Sequence, residues 1–364
     1  MTSNEHLNYK EKVNSGSFYT PEKFVQYVWK MIHPFLNKDY VILDSSAGKG
    51  SFFSVNIDSL ENFYLIAGDI DLFAINYLKE KFPQISVFCK NALNKINREE
   101  YGIIDYQKLI IIGNPPYNDF TSIKSIEIKK KTLSLEVDDE IKSRDLGISF
   151  LRSYDKLNAD YICVLHPLSY LIKKTNFRSL KSFSNNYKLI RSIIVDSRSF
   201  LGTKGSPFPI SISLFKRESC GMDYEYIKDF NFELESGKTF KLNNFSFINN
   251  LVSKYPKKKT TEHINNIFFF TFRDINSIFR NRTFIEKENN YSVPIKKEEF
   301  KYYAFIDYFK KNFKNTIPFY LRNLDVFYDP KFENEDWNYF ENSLSKDLNK
   351  TNNIIEFEKW VKKL

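Results

Sequence analysis

The sequence of 364 residues is long enough for two domains, and its 42% hydrophobic content is sufficient for packed cores. Its formal net charge of +9 permits a polyanionic partner but does not require one. No uninterrupted run of about 18 apolar residues occurs, and the first residues, MTSNEHLNYKEK, are polar. From these features we expect neither a membrane-spanning helix nor a signal peptide, and we expect a cytoplasmic protein.

Between residues 39 and 217, strand-like segments alternate with helix-like segments such as LFAINYLKEKF and GISFLRSYDKL. The strand-like segments are DYVILD, FYLIAGDID, ISVFCKN, KLIIIGNPPY, DYICVLHPL, LIRSIIVDS and PISISLFKR. This order predicts a Rossmann-like α/β fold with an open, mostly parallel sheet of seven strands and helices on both faces. The last two strands have no helical pattern between them, which favours an antiparallel hairpin at one edge.

The pattern changes near residue 220, where short aromatic runs such as FFFTF and KYYAFIDYFKK begin. We therefore predict a first domain over residues 1–220 and a second domain of mixed structure over residues 221–364. Residues 241–323 carry 16 Lys and Arg against 7 Asp and Glu, a net charge of +9. Residues 324–364 carry 6 against 9, a net charge of −3. The basic excess of the second domain is therefore local.

The three cysteines, Cys89, Cys163 and Cys220, are far apart in the sequence. Their spacing indicates neither a disulfide framework nor a zinc site, and we expect core thiols and no bound metal.

Polar residues follow each of the first three predicted strands. The first strand ends in Asp44 and continues into SSAGKGSFF, where Gly48 and Gly50 allow a sharp turn and close approach of a nucleotide. Asp69 ends the second strand and is placed to receive the two hydroxyls of a ribose, and Asn91 follows the third strand, where its oxygen can accept from an adenine amino group. The alternatives are a structural glycine turn, a helix N-cap at Asp69 or Asp71, and a turn asparagine.

The fourth strand ends in an unusual sequence, IIIGNPPY, in which Asn114 is followed by two prolines and Tyr117. In isolation, this sequence could be a turn that terminates the strand. With GSFYTP at residues 16–21 preceding the first strand, however, residues 14–217 resemble the gamma class of N6-adenine DNA methyltransferases of restriction-modification systems. The resemblance implies S-adenosylmethionine as the cofactor and double-stranded DNA as the substrate.

The resemblance also implies roles for residues around the cofactor. Tyr19, Thr20 and Pro21 would lie against its methionine part, and Asp44 with the turn containing Ala47, Gly48 and Gly50 would face its amino-acid moiety. Asp69 would bind the ribose, Ile70 the adenine ring, Asn91 the adenine N6, and Asn114 would also border the cofactor. The chain departs from the family at Asn91, where Asp is usual, and at residues 45–50, where Pro-x-Cys/Ala-Gly-x-Gly is common.

The NPPY segment has a chemical rationale in such an enzyme. The Asn114 side-chain oxygen and the Pro115 carbonyl can each accept one N6 hydrogen, and Pro115 and Pro116 hold these acceptors rigidly. Tyr117 offers a face on which a flipped adenine can stack, and either Phe200 or Phe208 would form the second wall. Transfer would be direct, without a protein nucleophile, and His166 is interpreted as structural.

The C-terminal region would then be the target recognition domain. Its candidate DNA contacts are Lys257, Lys258, Lys259, Arg273, Arg280 and Arg282, although a basic run is often only a solvated surface. We expect a monomer, and a cognate restriction endonuclease, if one exists, would be a separate polypeptide. Three alternatives remain: an RNA base methyltransferase, a protein glutamine methyltransferase, and a nucleic-acid-binding module with a degenerate pocket.

Overall fold

The computed structural model describes residues 20–54, 63–117, 136–200, 207–256, 264, 266–332, 337–342, 344, 350 and 352–364. The chain divides into two compact units, Met1–Thr239 and Phe240–Leu364. The first unit therefore extends beyond residue 220, where the sequence predicted the boundary, because a strand after that residue joins its sheet. The assignment of the two parts to catalysis and DNA recognition stays a prediction.

The first unit is built on a nine-stranded sheet. In chain order its strands are β1 Tyr40–Asp44, β2 Tyr64–Asp69, β3 Ser86–Cys89, β4 Lys108–Gly113, β5 Tyr161–Pro167, β6 Tyr187–Asp196, β7 Pro209–Arg217, β8 Phe232–Leu234 and β9 Thr239–Phe240. Their spatial order is β3-β2-β1-β4-β5-β7-β6-β8-β9. Each pair of neighbouring strands among β1 to β5 is parallel. Strand β7 is antiparallel to both of its neighbours, β5 and β6.

The predicted α/β fold with a mostly parallel sheet is confirmed, and all seven predicted strands form. The predicted number of strands is wrong, because β8 and β9 extend the sheet to nine. The antiparallel pairing of β6 with β7 is confirmed, but this pair does not lie at the edge. Strands of three and two residues are too short to show the alternation on which the sequence prediction relied.

Both faces of the sheet are covered. Ile42, Ile110 and Cys163 belong to one hydrophobic cluster that includes residues of the helix Glu22–Ile32. The alternate strand residues, such as Leu43 and Ile111, lie outside this cluster and are also fully buried. Continuous hydrophobic runs are typical of parallel strands buried on both faces. Because β1 to β4 are parallel, their C-terminal ends meet at one edge of the sheet.

The helices of the first unit flank this sheet, and those of the second unit accompany small sheets. They are α1 Glu22–Ile32, α2 Leu72–Lys81, α3 Leu146–Lys156, α4 Ser169–Ile172, α5 Lys174–Arg178, α6 Ser182–Asn186, α7 Tyr224–Asp229, α8 Ile275–Arg280, α9 Phe300–Phe313, α10 Asn338–Asn342 and α11 Asn352–Lys363.

The second unit is of mixed structure, as predicted. Its strands are β10 Ser246–Phe247, β11 Phe268–Phe270, β12 Phe284–Ile285, β13 Ser292–Pro294 and β14 Phe327–Tyr328. Strands β10 and β14 form one antiparallel pair, and β11 lies between β12 and β13 in a three-stranded antiparallel sheet. Of the two aromatic runs noted in the sequence, FFFTF supplies β11 and KYYAFIDYFKK supplies α9.

The three cysteines differ in burial. Cys163 is a buried core thiol as predicted, but Cys89 and Cys220 are exposed, so the prediction of core thiols is wrong for these two. Cys89 is the last residue of β3, an edge strand of the sheet, where burial is incomplete.

Among the described residues, no helix combines the length and the apolar character needed to span a bilayer.

Candidate active site

The turn after β1 is shaped by two glycines in the left-handed region, Gly48 with φ of 54° and Gly50 with φ of 76°. A Cβ at Gly50 would lie 2.7 Å from the Phe82 ring and 2.8 Å from a Leu78 methyl, so this glycine lets the turn pack closely. A Cβ at Gly48 would meet nothing within 4 Å. The amide of Ala47 donates to a β2 carbonyl at 2.9 Å and ties the turn to the sheet. The backbone at Gly48 is therefore open to close approach by a ligand.

Asp44, the last residue of β1, is almost completely buried. Its Oδ1 accepts a hydrogen bond from the Ser46 amide at 3.0 Å, and a Cβ at Gly113 would lie only 2.8 Å from this oxygen. Burial raises the pKa of Asp44 to about 8, and the nearby charge of Asp69 acts in the same direction. The ends of β1 and β4 therefore meet at a buried carboxyl group whose pKa lies far above the usual acidic range.

Asp69 connects the end of β2 to the glycine turn. Its Oδ2 accepts from the Gly48 amide at 2.8 Å, and its Oδ1 accepts from the Asp71 amide at 2.9 Å. Burial raises the pKa of Asp69, and these backbone donors oppose the shift. The N-cap of α2 is Asp71, which accepts from the Phe73 amide, so the cap alternative applies to Asp71. The adjacent Ile70 is 56% exposed and presents an apolar side chain at this edge.

Asn91 lies just after β3 in a turn. Its Oδ1 accepts from the Leu93 amide at 3.0 Å, and its Nδ2 donates to the Glu136 carbonyl at 2.7 Å. Asn91 therefore stabilises a turn, which was the alternative to its predicted contact with a ligand. A carbonyl oxygen can accept two hydrogen bonds, so the role of Asn91 toward an adenine stays a prediction.

Asn114 follows β4 and links two segments that are 94 residues apart. Its Nδ2 donates to Thr20 Oγ1 at 3.1 Å, and Thr20 is only 3% exposed. Asn114 Oδ1 is buried and has no hydrogen-bond partner among the residues that the structure describes. Pro115 is buried and Pro116 is half-buried, so the acceptor is followed by a rigid chain. A buried acceptor without a donor is unusual, and its lone pairs are open to a donor from a water or a ligand.

Tyr117 is half-buried against the start of α3. A Cβ at Gly147 would lie 2.9 Å from the Tyr117 Cβ and 2.6 Å from the Tyr170 hydroxyl, so only glycine leaves room for both tyrosines. The Tyr170 hydroxyl donates to Asp145, which also caps α3. Burial raises the pKa of Tyr117 well above its usual range. Gly147 was not among the residues predicted from the sequence, although a glycine in the first turn of a helix is a signal for close packing.

The two phenylalanines proposed for the second wall differ in burial. Phe200 is buried in the core, and its ring centroid lies 5.2 Å from that of Phe24 on α1. Phe208 is half-buried just before β7, and its amide donates to Ser197 Oγ at 3.1 Å. Phe208 therefore has the exposure that a contact with a ligand needs.

His166 lies on β5 within the core. Its Nδ1 is 3.0 Å from the Pro167 carbonyl oxygen, and its ring is nearly parallel to that of Tyr170 at a centroid distance of 5.6 Å. Burial lowers the pKa of His166 to about 4, so the imidazole is neutral at physiological pH. This environment fits the structural role that the sequence favoured.

The remaining predicted contacts are Pro21, three arginines of the second unit and four residues outside the described ranges. Pro21 precedes α1, and its carbonyl accepts from the Phe24 amide at 2.9 Å. Arg273, Arg280 and Arg282 are exposed on the second unit. Four predicted contacts, Tyr19, Lys257, Lys258 and Lys259, lie outside the described residues.

Part of this chain matches a family of known proteins. Residues 70–200 match the Eco57I restriction-modification methylase family. The resemblance to restriction-modification methyltransferases is confirmed for this segment, about a third of the chain. The match includes Asn91 and the NPPY segment, and it begins one residue after Asp69. Comparison with curated protein sequences gives no match.

Solved structures with partial similarity include a modification subunit of a candidate type I restriction enzyme from Vibrio vulnificus, with 15% identity and a TM-score of 0.42. A candidate class I S-adenosylmethionine-dependent methyltransferase from Listeria monocytogenes has 13% identity and a TM-score of 0.41. A candidate RNA methyltransferase from Pyrococcus horikoshii has 15% identity and a TM-score of 0.36.

These alignments cover 62%, 58% and 59% of this chain and 49%, 64% and 92% of the respective structures. The chain thus spans less than two thirds of the length of the first two. At these identities and TM-scores the matches add nothing to the fold assignment, which follows from the order of the strands.

Proposed function

We propose that this protein transfers the methyl group of S-adenosylmethionine to N6 of an adenine flipped out of duplex DNA. The observation that carries the proposal is the buried Oδ1 of Asn114 at the end of β4, which has no hydrogen-bond partner among the described residues. The Eco57I family match over residues 70–200 supports a modification enzyme of a restriction-modification system.

The chemistry of the amine explains this acceptor. The lone pair of an exocyclic adenine amine is delocalised into the ring, so the amine is a weak nucleophile until its geometry changes. Asn114 Oδ1 and the Pro115 carbonyl would each accept one N6 hydrogen and draw the nitrogen toward a tetrahedral arrangement. The protein would thus orient the amine without forming a covalent bond to it, and its surplus proton would leave to water.

The base must leave the duplex to reach this acceptor. Tyr117 would stack on the flipped ring and replace part of the stacking energy lost from the duplex, about 1 to 3 kcal/mol. We assign the opposite wall to Phe208, because Phe200 is committed to the core beside Phe24.

The residues of the first three strand ends fit the cofactor. The open space at Gly48 admits a ligand, and each oxygen of Asp69 that accepts one backbone amide retains a lone pair for a ribose hydroxyl. Asp44 would face the amino group, and Ile70 would cover the adenine. The cofactor would supply an electrophilic methyl group on a sulfonium ion.

We assign DNA contact to the second unit, whose residues 241–323 carry a net charge of +9. Arg273, Arg280 and Arg282 are exposed there, as contact with phosphates or guanine edges would require. A restriction endonuclease, where one exists, would be a separate polypeptide.

The test is methyl transfer by the purified protein. We expect incubation with labelled S-adenosylmethionine and unmethylated duplex DNA, followed by nucleoside mass spectrometry, to give N6-methyladenine. Parallel incubations contain RNA and protein extract. Label found only in N4-methylcytosine, in RNA or on glutamine would contradict the proposal and favour one of the alternative methyltransferases.

A further inference from the structure

The second unit gathers two exposed tyrosines and two exposed arginines at one end of its three-stranded sheet. We call this set, Tyr255, Arg273, Arg282 and Tyr291, the sheet-end surface. Its members come from four separate parts of the chain and meet at the C-terminal end of the central strand β11.

The hydrogen bonds of the sheet bring these parts together. At the end of β11, the Phe270 amide donates to the Thr283 carbonyl at 2.9 Å, and the Thr271 amide donates to the Tyr291 carbonyl at 2.9 Å. Arg282 and Tyr291 therefore lie on opposite sides of the same end of β11.

A third hydrogen bond attaches the segment that contains Tyr255. Thr271 Oγ1 donates to the Lys254 carbonyl at 2.7 Å, so the residue preceding Tyr255 is fixed to the same end of β11. The loop that carries Arg273 continues directly from Thr271 and Phe272. The four residues therefore lie near the same end of β11.

The surface is braced from beneath by a buried cation. Lys254 Nζ forms an ion pair with Asp325 at 2.7 Å, donates to the Arg273 carbonyl at 3.2 Å and lies 4.5 Å from the centre of the Phe272 ring. Its side chain is 5% exposed. The ammonium is therefore committed to holding the backbone of Arg273 and is not available to an external ligand.

The exposed aromatic side chains are concentrated here. Three large hydrophobic residues are exposed in the described part of the second unit, namely Tyr255, Tyr291 and Ile355, and two of them belong to the sheet-end surface. The two tyrosines are 51% and 59% exposed. The side chain of Arg273 is 75% exposed, although its Nε lies 3.5 Å from Asp274.

We propose that the sheet-end surface binds the sugar–phosphate backbone of duplex DNA. The inference rests on the proposed function, and it adds the place on the second unit where the substrate is held. Arg273 and Arg282 match phosphate oxygens with their planar guanidinium groups. Tyr255 and Tyr291 donate their hydroxyls to phosphates and pack their rings on deoxyribose, because a tyrosine offers a polar and an apolar contact at once.

The test compares charge reversal here with charge reversal elsewhere on the same unit. One variant carries Arg273→Glu and Arg282→Glu, a second carries Tyr255→Ala and Tyr291→Ala, and the control carries Lys359→Glu and Lys362→Glu on α11. Binding of a fluorescent duplex is measured by anisotropy at several salt concentrations. Circular dichroism and thermal unfolding of each full-length variant check that both units are folded.

We expect the arginine variant to bind DNA at least about tenfold more weakly and to reduce the slope of log affinity against log salt by about 1.8, or about 0.9 per lost phosphate contact. The tyrosine variant should bind about threefold to tenfold more weakly with an unchanged slope, and the control should lose less than about threefold.

Wild-type affinity and slope in the arginine variant, or an equal loss in the control, would overturn the assignment of this surface. These outcomes are distinct from failure of the proposed function, which would appear as a wild-type protein that transfers no methyl group to DNA.

Discussion

Two regions hold their functional groups in different ways: the sheet-end surface, and the edge of the large sheet at which β1 to β4 end, which we call the catalytic edge after its proposed function. At the catalytic edge, the side chains themselves are bonded to distant segments: Asp69 to the Gly48 amide and Asn114 to Thr20. At the sheet-end surface, the backbone is fixed through Thr271 and Lys254, whereas the side chains of the tyrosines and arginines extend into solvent.

This difference predicts different sensitivities to substitution. Water replaces the partner of an exposed side chain, so losing one of several surface contacts costs little. A buried donor or acceptor that loses its partner has no such replacement and costs about 1 to 3 kcal/mol. Single substitutions should therefore be severe at the catalytic edge and mild on the sheet-end surface, where double variants are needed.

The largest effect is expected from Asn114→Ala. The variant removes an acceptor that matters most as the amine becomes tetrahedral, so turnover should fall about 100- to 1000-fold. Cofactor and DNA should still bind, because neither depends mainly on this oxygen. Single-turnover rates with labelled cofactor give the effect on the chemical step.

A duplex with 2-aminopurine at the target position is the control for base flipping. The fluorescence increase of an unstacked base should persist in Asn114→Ala, since Tyr117 is still present. Near-wild-type methylation by this variant would mean that the Asn114 oxygen is not needed for methyl transfer and would contradict the proposed function.

The next effect concerns stability and Asp44. Burial raises the pKa of Asp44 to about 8, so the folded cofactor-free protein retains a proton that the unfolded chain, with an ordinary carboxyl pKa, releases near pH 4. The folded state then binds more protons than the unfolded state between these values. Stability should therefore fall as pH rises from about 4 to about 8, by at most about 1.4 kcal/mol per pH unit from this group.

The variant Asp44→Asn removes this dependence, since the amide oxygen can still accept from Ser46. Its free energy of unfolding relative to wild type should increase with pH up to about 8 and then level off. Asp139→Asn is the control, because Asp139 is exposed and its charge is solvated. Parallel profiles for wild type and Asp44→Asn would mean that Asp44 is ionised in the folded protein at neutral pH.

A smaller effect is expected on cofactor binding from Asp69→Ala. The ribose hydroxyls would lose a charged acceptor worth about 1.5 to 3 kcal/mol, and affinity for S-adenosylhomocysteine should fall about 10- to 100-fold. Asp71→Ala is the matched control, since Asp71 caps α2 and should lower stability by about 1 kcal/mol without changing affinity. Equal losses of affinity in both variants would indicate that the Asp69 effect is structural.

The sequence predicted the sheet well because its strands are long and continuously hydrophobic. Runs such as those of β4 and β5 leave little choice of structure, and parallel pairing then requires Asp44, Asp69, Asn91 and Asn114 to meet at one edge. The motif residues could be placed for this reason. The short strands β8 and β9 lacked such a pattern and were not predicted.

Other features could not be predicted because they depend on packing between distant residues. The bond between Thr20 and Asn114 and the space that Gly147 leaves for two tyrosines arise only when the helices dock. Of the sheet-end surface, the sequence predicted Arg273 and Arg282 as DNA contacts but not Tyr255 and Tyr291, which hydrogen bonds at the end of β11 bring together. Nothing in their local sequence distinguishes them from the many other tyrosines of this chain.

The smallest effect is expected from Thr20→Val, which keeps the shape of the side chain and removes the hydroxyl. Asn114 Nδ2 then loses its acceptor, and the amide is no longer held in one position, so kcat should fall about tenfold, or about 1.4 kcal/mol. Thr20→Ser keeps the hydroxyl and should retain most of the activity. Since the chemical step is affected, kcat should change more than KM for DNA. Equal activity of the valine and serine variants would mean that Thr20 only fills space. The difference between the two regions would then depend on the hydrogen bonds of Asp69.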